Sequence, residues 1–463
     1  MKYVPKGEWP EWIRNQLGEG KNYEVRESNG NYYLYRYENV WDKENKRPKK
    51  KTEYVGSLKR NGRSVFEHGH VAFLIDLLSR HNVVESLRKH FPDHWEELLV
   101  FSMNRVVRPF PLKRVGSWME KTSLGEFLEI DPPSGKKLSK VLGEVGVDVK
   151  SQSEFMRELI RDDEMLLYDG SMIYSTSNYN KLLEVGYDKD ELFLPKVNIA
   201  LLFSKDRNMP IHLRIFFGSV HEIKTIEAVI REIKDKDILF IADKGFYKND
   251  LYDDLDEGNV KFVLPLPRDD DRIQYDEDLS EVFKYRDRII KSTSYPAGTY
   301  HLYHYEDQVL KHTETKNYYK LKLDGKDVSF NESWAGKIAL LSNQKLDPEE
   351  AYLIWKNRGR IEKAFDVLQN LLETDRPYIS SEEVFRGYLF ASFISLTTYY
   401  IVLNFLQEHE VNNRVSVKDV LFEFSKIRIE DRGYSAFSEI PKKVRELAEE
   451  LKVENIMHKI WES

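Results

Sequence analysis

Cysteine is absent from this chain of 463 residues. A disulfide framework, a thiolate zinc site and a cysteine nucleophile are therefore excluded. The first residues also lack the apolar core of a secretory signal, and the chain has no internal repeat or low-complexity tail. The absence of cysteine fits a reducing cytoplasm. The length predicts roughly two to four compact units, and 41% hydrophobic and 32% charged residues are typical of an ordinary soluble protein.

Charged residues are missing from one long stretch, Gly387 to Leu406, which is about long enough to cross a bilayer. Polar residues interrupt it at Ser392, Ser395, Thr397, Thr398 and Asn404. A buried helix of a large domain has the same composition, and we expect that alternative and no membrane partner.

The net charge of −7 argues against indiscriminate binding to DNA, because phosphate neutralisation dominates that affinity. Two local segments are nevertheless basic. The segment Trp41–Arg63 carries nine cations, among them Lys49, Lys50 and Lys51 in a predicted loop spanning Lys43–Lys51. The shorter segment places Arg105, Arg108, Lys113 and Arg114 among prolines. Each is either a solvated loop or a surface that contacts DNA.

The order of predicted elements is that of a ribonuclease-H-like sheet. The expected strands are Met165–Tyr168, Lys196–Phe203, Ile211–Phe217, Ile238–Ala242 and Lys261–Leu266, with a helix at His221–Lys234. A helix that begins near Asp347 should close this domain. The predicted fold class is thus α+β or α/β, a ribonuclease-H-like mixed sheet with helices, interrupted by an inserted β-rich unit.

The predicted units follow from changes in periodicity along the chain. They are a β-rich unit at 1–65, a helical unit at 66–160, the ribonuclease-H-like domain at 161–268 and 345–406, an inserted β-rich unit at 269–344 and a helical unit at 407–463. In the insertion, Tyr318–Leu323 is predicted to be a strand on which Lys320 and Lys322 share one face with Tyr318. That face suits stacking and phosphate contact, but it is equally the solvent face of an ordinary strand.

Three acidic residues carry the predicted chemistry. Asp169 and Asp243 each follow an apolar β-type run, and Glu362 lies on the helical stripe around Phe365 and Leu368. In a ribonuclease-H-like sheet the first and fourth strands are neighbours, so the two aspartates should meet and the closing helix could add Glu362. Clustered carboxylates repel unless a cation binds, and two Mg²⁺ or Mn²⁺ ions would fit such a phosphoryl-transfer site. Taken singly, each acid could be a turn residue or a solvated one.

Three motif blocks carry a resemblance to a known family. They are Tyr168-Asp169-Gly170-Ser171, Asp243-Lys244-Gly245-Phe246 and Arg358-x3-Glu362, the last continuing to Arg376-Pro377 and Gly387. In this order the chain resembles the DDE transposases of prokaryotic insertion sequences that carry Tyr-x2-Arg-x3-Glu-x6-Lys. The resemblance implies metal-dependent cleavage at element ends and strand transfer by Asp169, Asp243 and Glu362. It also implies double-stranded DNA partners (terminal inverted repeats and target DNA), a homodimer, and a cytoplasmic, nucleoid-associated location.

Two positions depart from that signature. Trp355 replaces its Tyr and Gln369 replaces its Lys, at positions thought to contact DNA near the cleavage site in this family. An indole can stack on a base, whereas a glutamine brings no cation to phosphate. Arg358 would orient Glu362 or neutralise phosphate, or it is merely an ion-pair partner one turn away. Two alternatives remain open: a nuclease that only hydrolyses, and a transposase-derived DNA-binding protein without catalysis.

Overall fold

The computed structural model describes residues 2–17, 22–28, 31–42, 47–58, 64–162, 164–174, 183, 195–217, 238–242, 251–326, 328–374, 379–431 and 435–457. The chain divides into two compact units. One comprises Met1–Val84, Leu99–Leu138 and Val402–Ser463, and the other comprises Glu85–Leu98 and Ser139–Ile401.

The N-terminal region is a four-stranded antiparallel sheet with one helix. Its elements are β1 (Lys2–Val4), α1 (Glu11–Leu17), β2 (Tyr23–Ser28), β3 (Asn31–Asp42) and β4 (Arg47–Leu58). The buried side chains of Trp9, Ile13, Val25, Leu34 and Leu58 form its core. Strands β2 and β3 pair in antiparallel fashion, from the pair Tyr23 and Arg36 to the pair Ser28 and Asn31.

The loop predicted at Lys43–Lys51 is wrong for its second half, because Arg47 begins strand β4. This strand pairs with β3 as far as Asp42, whereas β2 pairs only with the first part of β3. The far end is therefore a two-stranded ribbon, and the adjacent residues Val40 and Trp41 are both exposed. Lysines can occupy such a strand because both of its faces reach water.

Helices dominate the next hundred residues, as their apolar periodicity predicts. After the short strand β5 (Ser64–Glu67) come α2 (Gly69–Arg80), α3 (Val83–His90), α4 (Trp95–Val107), α5 (Leu112–Met119), α6 (Leu124–Leu128), α7 (Gly135–Val147) and α8 (Val149–Leu159). The predicted stripe of α2, which includes Phe73 and Leu77, is fully buried.

A nine-stranded sheet forms the centre of the second unit. Its elements are β6 (Glu164–Tyr174), β7 (Lys196–Ser204), β8 (Met209–Phe217), β9 (Ile238–Ile241), α9 (Leu251–Glu257), β10 (Lys261–Pro265), β11 (Glu281–Tyr285), β12 (Arg288–Ala297), β13 (Tyr300–Asp307) and β14 (Lys337–Ser342). The strand order is β11-β12-β13-β14-β10-β9-β6-β7-β8.

Five of these strands confirm the ribonuclease-H-like fold. The order β8-β7-β6-β9-β10 places an antiparallel hairpin beside two strands that run parallel to β6. The strands of the inserted segment continue the same sheet, since β14 pairs with β10 on one side and with β13 on the other. The predicted helix at His221–Lys234 lies outside the described residues.

The strand predicted at Tyr318–Leu323 is wrong. Residues Gln308–Leu323 form one helix, α10, which has no buried residue. The Asp307 side chain caps its first turn by accepting hydrogen bonds from the backbone N–H groups of Val309 and Leu310. Leu, Lys and Gln favour helices, so the capped segment overrides a short alternating pattern. Lys320 and Lys322 consequently lie on a helix and are exposed.

The remaining elements are helical apart from one small sheet. They are α11 (Pro348–Lys356), α12 (Gly359–Asp366), a π-helical turn (Val367–Leu371), α13 (Glu382–Glu408), α14 (Val417–Phe424), β15 (Arg428–Asp431), β16 (Ser435–Phe437) and α15 (Lys442–Glu450), with 3₁₀ turns at Lys6–Glu8, Glu332–Trp334 and Glu454–Met457. The predicted start of α11 is confirmed, because Asp347 is its N-cap. Strand β15 pairs with β16 and β5.

Helix α13 contains the stretch without charges. It is long and apolar enough to cross a membrane, and 83% of its most apolar 18-residue window is buried inside the protein. Its serine and threonine hydroxyls donate to backbone carbonyls four residues earlier, as Ser392 does to Tyr388 at 2.8 Å. This burial favours the interpretation of a core helix.

Candidate functional site

Asp169 lies within strand β6, in the middle of the sheet. The strand continues to Tyr174 because β7 pairs with it throughout, so the expectation that it ends before Asp169 is wrong. The side chain is half-buried, and its Oδ1 accepts a hydrogen bond of 2.9 Å from the backbone N–H of Gly170. An acid held on a central strand has a well-defined position.

Asp243 lies outside the described residues. The strand that precedes it, β9, runs parallel to β6, and its Ile241 is aligned with Leu167. These two residues stand two positions before Asp243 and Asp169 in the sequence. The prediction that the first and fourth strands are neighbours is therefore confirmed.

Glu362 lies in the first turn of α12, where the positive end of the helix dipole favours an acid. Its side chain is 56% exposed and its Oε1 accepts from Arg358 Nη2 at 2.9 Å. An exposed ion pair four residues apart contributes only about 0.3–0.5 kcal/mol, so this carboxylate remains available to another cation. Arg358 is thus an ion-pair partner of Glu362, and an orienting or phosphate-neutralising role for it stays a prediction.

Helix α12, which carries Glu362, packs against β6, the strand of Asp169, and against β7. The contact is apolar, because Ile361, Ala364 and Phe365 are the buried residues of this helix. The spacing of these three residues places them on one face and leaves Glu362 on another. The predicted closing helix begins at Asp347 but ends at Lys356, so Glu362 lies on a separate helix, α12, that packs on the sheet. That this helix brings Glu362 within reach of Asp169 stays a prediction.

Gln369 joins the same helix to β6 by side-chain hydrogen bonds. It lies in the π-helical turn after α12, and its Nε2 donates to Ser171 Oγ and to the Met172 carbonyl, both at 3.0 Å. Its amide is thus engaged inside the protein, two and three residues beyond Asp169. The expectation of a DNA contact by Gln369 does not agree with this arrangement, because its two donors are already used.

Gln369→Leu is expected to lower the free energy of unfolding by about 1–2 kcal/mol, because the Ser171 hydroxyl and the Met172 carbonyl lose their donor. Urea unfolding measures the change. The control is Asn370→Ala at the next position, where an exposed amide makes only a local bond of 2.8 Å to Asp366. Equal effects of the two substitutions would show that the hydrogen bonds between Gln369 and β6 contribute no more to stability than the local bond of Asn370.

Trp355, at the end of α11, packs within the protein. Its ring lies 5.9 Å from that of Tyr352, and Lys356 Nζ stands 4.4 Å from its centre. Its Nε1 is buried and has no hydrogen-bond partner in the described part of the chain. Stacking of this indole on a base stays a prediction.

The predicted basic residues differ in exposure. Arg105 is 6% exposed and lies 5.1 Å from the Phe101 ring within α4, so the expected phosphate contact is wrong for this residue. Lys50 pairs with the buried Glu24, and nothing is described of the side chains of Lys49 and Lys51. Arg108, Lys113 and Arg114 are exposed, as are Lys320 and Lys322 on α10. Their contact with DNA stays a prediction.

The donor set suits a hard divalent cation. Asp169 and Glu362 offer carboxylate oxygens, which Mg²⁺ and Mn²⁺ prefer. Among the described residues no group of three His, Cys, Asp or Glu side chains is close enough to hold an ion. Because Asp243 is not one of those residues, the complete set of three acids stays a prediction.

A group of cations around Lys356, at the end of α11 two residues before Arg358, was not predicted from the sequence. Arg286 and Arg288 lie at the turn between β11 and β12, and Lys356 ends α11. The available signal was a two-residue hairpin turn, Arg286-Asp287, between two runs of alternating apolar residues. Nothing local connects this turn with Lys356.

The model of the family described as "Transposase DDE domain" matches residues 161–398, which include β6, the sheet and α12. No curated protein matches significantly. Among solved structures, the chain is similar to a piggyBac transposase in a synaptic complex with hairpin DNA, with 10% identity, a TM-score of 0.46, and coverage of 87% of this chain and 89% of that one.

Proposed function

This chain belongs to the transposase DDE domain family, and on that premise we propose that it cleaves DNA at the ends of a mobile element and joins those ends to target DNA. The observation that carries the proposal is the attachment of the Glu362 helix to the strand of Asp169, in a sheet of ribonuclease-H-like order. This arrangement supports a shared site for acids that are far apart in the sequence.

We propose that Asp169, Asp243 and Glu362 together hold two divalent metal ions. Bound Mg²⁺ or Mn²⁺ would activate water or a 3′-hydroxyl for in-line attack and stabilise the leaving oxygen. The contribution of the protein is positional. The sheet holds Asp169, and Arg358 holds Glu362 through the ion pair of 2.9 Å. No serine or tyrosine nucleophile is needed, because the attacking group is an oxygen of water or DNA.

The partners and setting of this reaction are further parts of the proposal. The DNA partners are the terminal inverted repeats of the element and a target duplex, and two ends joined in one event favour a homodimer. The resemblance to prokaryotic insertion-sequence enzymes favours a cytoplasmic, nucleoid-associated location and a cut-and-paste reaction.

The test is incubation of the full chain with duplex DNA taken from the sequence that flanks its reading frame, with Mg²⁺ or with EDTA. The expected result is Mg²⁺-dependent nicking followed by covalent joining of the new 3′ ends to a second duplex, read on denaturing gels. Nicking that never leads to joined products identifies a nuclease that only hydrolyses. Binding without any cleavage, in Mn²⁺ as well, identifies a DNA-binding protein without catalysis.

A further inference from the structure

The β11–β12 hairpin is fastened to helix α11 by a cluster of aromatic rings. Tyr352 of α11 is fully buried, and its ring centre lies 5.3 Å from that of Phe283, 5.5 Å from that of Tyr285 and 5.1 Å from that of Tyr305. Rings in edge or tilted contact at such distances stabilise each other beyond the area they bury. The turn of the hairpin is therefore held at the C-terminal end of α11.

Lys356 extends over this aromatic cluster. Its Nζ lies 4.4 Å from the ring centre of Trp355, 5.1 Å from that of Tyr352 and 5.9 Å from that of Tyr285. No carboxylate in the described part of the chain lies within ion-pair distance of this ammonium. Three ring faces thus hold the cation in place and leave its hydrogen-bond donors available.

The charges of three arginines act on the same ammonium. Burial lowers the pKa of Lys356, Asp307 opposes this, and the charges of Arg288, Arg358 and Arg286 lower it further. Like charges gathered around a half-buried lysine disfavour its charged form. An anion bound among them would remove that repulsion.

Two of these arginines already have acidic partners. Arg288 Nη1 lies 2.9 Å from Asp307 Oδ2, and Arg358 Nη2 lies 2.9 Å from Glu362 Oε1. Arg286 is exposed and has no ion pair among the described residues, although the acid Asp287 follows it in the chain. Within the described part of the chain, Lys356 and Arg286 are therefore the members of this group without an acidic partner.

Arg286 also occupies a backbone conformation that rarely suits an arginine. Its φ is 58°, in the left-handed region, where glycine or asparagine would be less strained. Its guanidinium lies 5.3 Å from the ring centre of Tyr285. Strained residues cluster at functional sites, and here the strain keeps a cation at the tip of the hairpin.

We propose that Lys356 and Arg286, supported by Arg288, form a binding site for a backbone phosphate of DNA next to the Arg358–Glu362 pair. The proposal rests on the proposed function, since it concerns the substrate of that site. The site would also supply the positive charge that Gln369 lacks, because the Gln369 amide is engaged with Ser171 and Met172 and carries no cation. Lys356 and Arg286 provide positive charge from two other elements, the end of α11 and the hairpin turn.

The test measures how duplex affinity depends on salt, because each phosphate contact adds close to one unit to the slope of log K against log [salt]. The probe is the flanking duplex DNA, titrated with the full chain in EDTA. Lys356→Met keeps an apolar stem on the rings and removes the charge. We expect it to weaken binding and to reduce the slope by about one unit. Lys356→Arg should retain the slope.

Two further variants make the result specific. Arg286→Asn suits the left-handed backbone, and combined with Lys356→Met it should reduce the slope by about two units. The matched control is Lys345→Met, an exposed lysine before the other end of α11, which should leave the slope unchanged. Unchanged thermal midpoints show that the variants are folded.

The outcomes separate this site from the proposed function. An unchanged slope in folded Lys356→Met, or no duplex binding by the unsubstituted chain, overturns the phosphate site. If the unsubstituted chain cleaves DNA while Lys356→Met keeps the full slope, the site alone is wrong. If Lys356→Met reduces the slope but the unsubstituted chain never cleaves, the site stands and the transposase activity is wrong.

Discussion

Asp169→Asn and Glu362→Gln should each reduce metal-dependent cleavage of the flanking duplex by about 10³-fold or more. Each substitution keeps the shape of the side chain and removes a negative oxygen ligand, so the transition state loses charge stabilisation. The same loss is expected for Asp243→Asn on the resemblance of its motif. Quantified nicking in single-turnover reactions measures the effect, and duplex binding in EDTA should stay within about twofold of the unsubstituted chain because no phosphate contact is removed.

Asp366→Asn is the matched control for Glu362→Gln. Asp366 is exposed, lies one turn further along the same helix α12, and accepts a local bond from Asn370. Its substitution should leave cleavage unchanged. Full cleavage by Glu362→Gln would remove this residue from the site, and loss of cleavage by Asp366→Asn as well would indicate damage to the helix instead of the chemistry.

Gly387→Ala should strongly destabilise the second unit, with a loss of roughly 3 kcal/mol in the free energy of unfolding. A Cβ at position 387 would lie 1.8 Å from the carbonyl oxygen of Leu142, on helix α7. Helices α7 and α13 touch through their backbones here, so neither helix can move away without disturbing its own core. Thermal or urea unfolding measures the loss. The resemblance included Gly387 among its motif residues, and the structure assigns it this packing role.

Two glycines on the facing helix α7 test whether the close approach of the two backbones causes this loss of stability. Gly146→Ala should be as harmful as Gly387→Ala, because its Cβ would meet the Glu383 carbonyl oxygen at 1.8 Å. Gly143→Ala should be tolerated, since its Cβ would meet only a methyl group of Val384 at 3.4 Å. A similar loss at Gly143 would point to helix packing in general and not to the backbone contact.

Local sequence was sufficient for the elements on which the proposed site depends. The apolar runs before Asp169 and Asp243 predict strands β6 and β9, and Asp347 predicts the start of α11. These predictions hold because a buried central strand needs a run of apolar residues and a helix needs a partner for its first N–H groups. The fold class follows from their order along the chain.

Local sequence was insufficient where neighbours decide conformation or exposure. The alternation at Tyr318–Leu323 resembles a strand, yet the capped segment is helical. Arg105 belongs to a basic stretch, yet its helix buries it. Over a few positions, a short pattern of alternating residues fits both the period of a strand and the period of a helix. A basic composition does not show which side of a helix faces the core.

By itself the sequence determined that this chain has no thiol chemistry, that its strands follow a ribonuclease-H-like order, and that Asp169, Asp243 and Glu362 stand in blocks that resemble DDE transposase motifs. Only the tertiary structure decided that Gln369 bonds to Ser171, 198 residues away, and that Lys356 and Arg286 both lie near the ring of Tyr285. The physical reason is that contacts between distant residues depend on the packing of whole helices and strands, whereas periodicity and capping record only what neighbouring residues require.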